Sequence, residues 1–154
     1  MIDEFLVFVG IDFSFLLKVC LSFLAGFAIG YERESRGKDA GISTHSLVIL
    51  GAMLFTFLSV NIEPDQTSRI AAAVVTGIGF LGAGVILKHG TEVHNLTTAA
   101  SLWFSAAIGM SFGFGFYAVG IIATLIAIPI LRIPHLTHPK SWDKHKAKKS
   151  QLND

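Results

Sequence analysis

A chain of 154 residues is the length of one domain, but 52% of it is hydrophobic and only 15% charged, which excludes an ordinary water-soluble globule. The formal net charge of +1 gives no reason to expect a nucleic-acid partner, and a single cysteine, Cys20, excludes an internal disulfide and any CxxC metal or redox motif.

The apolar residues fall in five runs, at 13–31, 44–62, 69–88, 96–113 and 116–133. Each approaches the roughly 17 to 25 residues that a helix needs to cross a hydrocarbon core. A backbone in lipid must satisfy its own hydrogen bonds, so each run is expected to be helical. The sequence therefore predicts an all-α membrane protein, a polytopic bundle of five transmembrane helices. Residues 1–133 form the membrane domain and 134–154 a basic cytoplasmic tail.

The chain opens "MIDEFLVFVGIDF", acidic where a signal peptide is basic and with no small-residue cleavage site after its first apolar run, so the first span is expected to stay in place. Within that span Cys20 is read as a packing residue. Lys18 lies about a turn and a half inside it, and is read as snorkelling outward, with a buried pair to Asp12 or Asp65 as the sharper alternative. The span ends in "YERESRGKD", where Glu32, Arg33, Glu34, Arg36, Lys38 and Asp39 nearly cancel in charge. That pattern suits a salt-bridged loop at the membrane face, and arginine's planar fork there is also suited to a phosphate or a partner's carboxylate. Thr44 and His45 open the second span. Arg69 opens the third and reads as an interfacial anchor.

The third span contains "TGIGFLGAGVI", in which Gly77, Gly79 and Gly82 have the GxGxxG spacing of a dinucleotide site. Such a site needs a preceding strand, a helix opening at the glycines and an acidic residue about 20 positions on. Here the glycines lie in mid-run between Arg69 and Lys88, so the nucleotide reading fails and no cofactor is expected. At helical spacing Ala73, Gly77 and Gly84 share one side and Ala72, Gly79 and Ala83 another. Two such stripes predict close approach of two neighbouring helices. The fourth span, "LTTAASLWFSAAIGMSFG", is also rich in small residues, so spans three and four are expected to form the tight centre of the bundle. Thr97 and Thr98 are candidate caps for the fourth helix. After the fifth span, "HLTH" at 135–138 is flanked by Pro134 and Pro139, which argues against a metal-binding helical face.

Lysine and arginine set the orientation. With the C-terminus inside, the cytoplasmic segments hold Arg33, Arg36, Lys38, Lys88, Arg132 and five tail lysines, while the other side holds Arg69 and an excess of acids. The positive-inside bias predicts N-out, C-in. No catalytic constellation, Walker loop or HExxH helix is present, so the chain is expected not to be an enzyme. No span carries a central carboxylate, and Lys18 repels cations. Since Mg²⁺ requires hard oxygen ligands, this disfavours a Mg²⁺ conduit through one subunit.

The stretches "GYERESRGKDAGISTHSLVILGA", "RIAAAVVTGIGFLGAGVI" and "LTTAASLWFSAAIGM", in that order, resemble the MgtC/SapB family of bacterial inner-membrane proteins. The likeness covers about residues 14–130. It implies a five-helix bundle in the bacterial inner membrane, linked to growth under magnesium limitation and to survival of pathogens inside macrophages. It also implies action on another membrane complex, the F-type ATP synthase in the prototype, rather than Mg²⁺ transport. The matching positions are Glu32, Arg33, Glu34, Arg36, Gly41, Thr44 and His45, then Arg69 with Gly77, Gly79, Gly82 and Gly84, then Thr97, Thr98, Ala99 and Ala100. Two departures stand out. Many relatives carry a soluble ACT-like domain after the last span, where this chain has only its basic tail, and Phe104 stands where the prototype has cysteine. The expectation is a multi-pass, non-enzymatic modulator in contact with membrane lipids, self-associating as a dimer and without metal or cofactor. The rival expectation is an oligomeric ion transporter or channel.

Overall fold

The computed structural model describes residues 12–62, 64–89 and 92–133. Among them are five α-helices: α1 Phe13–Ser35, α2 Ile42–Ile62, α3 Thr67–Val85, α4 Leu96–Gly113 and α5 Tyr117–Arg132. Helix α1, helix α2, and α3 together with the 3₁₀ turn before it (Pro64–Val85) are long and apolar enough to cross a membrane. Helix α5 is a shorter apolar helix of 16 residues. The tail at 134–154, with its HLTH stretch, lies outside the described residues.

Local chemistry accounts for the helix ends. The Asp12 carboxylate accepts a hydrogen bond from the Phe15 amide at 2.7 Å and caps α1. At the other end Gly37 takes a left-handed φ of 63°. Its amide reaches Glu34 O at 3.0 Å, and the Lys38 amide reaches Arg33 O at 3.1 Å. This is the paired closure that a glycine just past a helix permits. The closure extends α1 through the charged stretch, so Glu32, Arg33 and Glu34 belong to the helix and not to the expected loop.

Helix α3 stops at Val85, short of the expected residue 88. Ile86 is extended, and β1 Leu87–His89 pairs antiparallel with β2 Glu92–His94, Leu87 opposite His94 and Lys88 opposite Val93. β-branched Ile86 and Val93 favour extended backbone, so this strand pair stands where the last helical turn was expected.

The tightest packing surrounds α2. A Cβ added at Gly26 of α1 would collide with the Ser46 backbone, and one at Gly30 with Ile42. From α4, Gly109 meets the Ile49 carbonyl and Gly113 meets Thr56 and the Met53 carbonyl. These small-xxx-small pairs bring α1 and α4 against α2 at backbone contact. Ile49 and Met53 of α2 join Ala25, Ile29, Ile108, Phe112, Ala127 and Leu131 in the main core.

The expectation that spans three and four form the tight centre is therefore corrected. Among the described residues, Gly82 alone of the α3 glycines has a neighbour, with Ala99 3.8 Å from a Cβ placed there, while at Gly77, Gly79 and Gly84 an added Cβ meets nothing within 4 Å. Only Ile78 and Gly82 of α3 are buried. The reason is steric. Ile78 seats as a knob against Ala52 of α2 and Ala106 of α4, so the small residues that matter at this junction belong to the neighbours, and the glycine stripes of α3 face outward. Cys20 is likewise exposed rather than packed in the bundle. Lys18 places its ammonium over the Phe57 ring, 5.0 Å from the centroid, a cation–π contact that the sequence did not reveal.

Candidate functional site

The last turns of α1, the first turns of α2 and α4 and the end of α5 meet at one end of the bundle, and there the polar residues concentrate. Glu32 and Arg33 are 2% and 1% exposed. Arg33 donates from Nη2 to Thr98 Oγ1 of α4 at 3.3 Å, and its Nη1 lies 4.0 Å from Glu32 Oε2. Arg36, one helical turn after Glu32, donates from Nη1 to Glu32 Oε1 at 3.4 Å and to the Leu131 carbonyl of α5 at 2.8 Å. Two guanidinium groups thus share one carboxylate, and the trio keeps one positive charge. A charge taken out of water costs more than a pair returns unless the geometry is good, so a buried ion pair is weak evidence for stability. Here Glu32 Oε2 and Arg33 Nε have no hydrogen-bond partner among the described residues. Stability alone is a poor explanation for this arrangement, which makes it the prime candidate for function.

His45 extends the cluster along α2. It is fully buried. Its Nδ1 is 3.0 Å from the Gly41 carbonyl and its Nε2 3.1 Å from Ser101 Oγ. A carbonyl can only accept, so Nδ1 carries a proton, and in the neutral ring Nε2 must accept from the Ser101 hydroxyl. That hydroxyl also sits 2.7 Å from the Thr98 carbonyl. One hydroxyl proton faces two acceptors, so Ser101 serves His45 or the Thr98 carbonyl at any one moment.

The other sequence candidates divide by position. Glu34 is exposed and uses Oε2 to accept the Ile42 amide at 3.0 Å, capping α2. Thr44 is exposed on the first turn of α2. Arg69 lies at the opposite end of the bundle, exposed and donating to Gln66 Oε1. Thr97 is half-buried beside a groove between α4 and α5. Neither threonine caps α4, since Thr98 is turned to Arg33. The cap position belongs to Asn95, left-handed at φ 66° and without a side-chain cap bond. Its side-chain amide instead donates to Asp39 and, at 3.2 Å, to the Val85 carbonyl, tying the α1–α2 connection to both ends of the α3–α4 connection.

Ser101 and the Asp39 to Asn95 link were missed by sequence reasoning. The signal for Ser101 is its place three residues after Thr98, on the same face of a helix. Among the described residues there is no group of three or more His, Cys, Asp or Glu able to hold a metal ion.

The residues of the cluster all lie inside a match between residues 19–139 and the model of the MgtC family. The chain belongs to the MgtC family. The resemblance read from the three sequence motifs is thereby established over the membrane region. Within the family, the chain is 42% identical over 134 residues to "Putative magnesium transporter YhiD" of Escherichia coli K12, covering 79% of this chain and 61% of that protein. It is 45% identical over 116 residues to "Protein MgtC" of Salmonella typhimurium LT2, covering 75% of this chain and 50% of that protein. The chain thus spans between half and three-fifths of these MgtC-family relatives. No solved structure matches it. Membership makes the chain a membrane protein of a family tied by name to magnesium.

Proposed function

We propose that this MgtC-family chain is a non-enzymatic, multi-pass inner-membrane protein that serves adaptation to low magnesium by modulating another membrane complex. Its five helices cross the bilayer with the N-terminus out and the C-terminus in, which puts the Arg33 cluster on the cytoplasmic side. The observation that carries this reading is the net charge of the polar cluster, in which buried Glu32 and Arg33 cancel and partly exposed Arg36 adds one positive charge. Arg33 and Arg36 outnumber Glu32 at the polar centre, and a centre of net positive charge disfavours passage of a divalent cation through one subunit. A buried arginine bonded to α4 and a partly exposed one bonded to α5 instead suit a structure whose helix ends are read by a partner. The family resemblance makes the ATP synthase the first candidate.

The open glycine face of α3 supports self-association. Small residues without a neighbour among the described residues permit backbone contact with a second copy, and a dimer is the simplest closed form.

A second reading, an oligomeric Mg²⁺ transporter, is favoured by the printed name of the E. coli relative. Purified protein in liposomes loaded with a Mg²⁺-sensitive dye separates the two. The modulator reading expects no Mg²⁺ flux above empty vesicles, together with co-purification of ATP synthase subunits that is lost in Arg33→Met. Ion-selective flux abolished by Glu32→Gln overturns it in favour of transport.

A further inference from the structure

We infer that the groove between α4 and α5, at the arginine end of the bundle, holds one acyl chain of an anionic phospholipid, with its phosphate drawn to Arg36 at the mouth. The groove has a volume of about 320 Å³ and is walled by Thr97, Ala100, Trp103 and Phe104 of α4 and Ala127 and Ile130 of α5. Ala100 and Ala127 are the small residues that open it, and Trp103 and Ile130 stand half-exposed at its sides.

Size and charge select the occupant. One turn of a helix with its side chains fills roughly 420 Å³, so the space is too small to take a turn of a second protein helix and fits a single hydrocarbon chain. Lipid tails are as apolar as leucine, so the groove gains nothing from excluding water, and preference among lipids must come from the headgroup. Basic pockets between membrane helices attract anionic headgroups. Leu131, which lines this groove, has its carbonyl bonded by Arg36 at 2.8 Å. The Arg36 side chain is 40% exposed, and the carboxylate beside it, Glu32, is already shared with Arg33. Thr97 brings in the first turn of α4, whose cap residue supplies no side-chain hydrogen bond, so the positive end of that helix dipole adds to the field. Asp39, on the α1–α2 connection, accepts a hydrogen bond from the Asn95 side chain.

The test uses the full chain with Trp142→Phe, which leaves Trp103 as the single tryptophan of the two in the sequence. Trp103 fluorescence is measured in vesicles containing phosphatidylglycerol or phosphatidylcholine with brominated acyl chains at equal mole fraction. The expected result is a relative binding constant about fivefold in favour of phosphatidylglycerol at low salt, the worth of one basic residue near an anionic lipid. It falls to near unity in Arg36→Gln, survives in Arg36→Lys, and is lost in Ala100→Phe with the far-ultraviolet circular dichroism unchanged. Equal quenching by both lipids in the parent overturns the proposal, as does a preference that persists in both Arg36→Gln and Ala100→Phe. Efficient disulfide cross-linking of two copies through Ala100→Cys, in a Cys20→Ser background, also overturns it by filling the groove with protein.

Discussion

Two sets of glycines in one chain do opposite things. Gly26, Gly30, Gly109 and Gly113 are consumed inside the bundle, each meeting backbone or side-chain atoms of α2 so closely that a methyl group has no room. Gly77, Gly79 and Gly84 occupy an apolar helix of similar composition, and among the described residues an added Cβ there meets nothing within 4 Å. The lesson is that a small-residue stripe specifies the possibility of close approach, while the partner is chosen by what stands opposite. Around α2 the opposing surfaces are the turn at Ile42 and Ser46 and the carbonyls of Ile49 and Met53. At α3 the bulk of Ile78 takes the contact, and the glycines are left over.

Substitutions sharpen this comparison. The largest effect is expected for Gly109→Leu or Gly26→Leu, where overpacking against fixed backbone costs at least about 3 kcal/mol. Folded, detergent-resistant protein should then disappear from size-exclusion profiles. Next comes Arg33→Met, which leaves buried Glu32 with Arg36 as its remaining cationic partner and is expected to lower stability by about 3 kcal/mol in a denaturant titration. The double variant Glu32→Gln with Arg33→Met should recover much of that loss, and a double-mutant cycle measures the coupling. Arg36→Gln removes a partly solvated contact and is expected to cost only about 1 kcal/mol by the same titration. The smallest effect belongs to Gly77→Leu, within about 0.5 kcal/mol for the monomer because its surroundings are empty. If α3 is the face of self-association, the same change should abolish dimers in cross-linking and single-molecule counting. A Gly77→Leu chain that unfolds like Gly109→Leu would erase the distinction between the two sets.

Much of the architecture was legible in the residues. The five apolar runs became the five helices within a few positions, because hydrophobic length is a strong signal. The glycines at 77–82 lie inside α3, as their place in the middle of an apolar run implied. The centre of the bundle was misplaced because composition cannot say which small-residue face finds a neighbour. The charged stretch was misread for a different reason. Charged residues are nearly always solvated unless paired, so "YERE" looked like a loop, although Gly37 marked the true end of the helix one turn later. Of the candidate site, Glu32, Arg33, Arg36, His45 and Thr98 were named from sequence and come together in space. Ser101 and the Asp39 to Asn95 link were not, since each depends on a contact between segments more than 50 positions apart.

The hydrogen bond from Arg36 to the Leu131 carbonyl clasps the first described helix to the last, two residues before the chain leaves α5 at Ile133. Tension on the lysine-rich segment that follows is therefore delivered to the same guanidinium that holds Glu32. The clasp turns a pull on the end of the polypeptide into a change of company for a carboxylate hidden inside it.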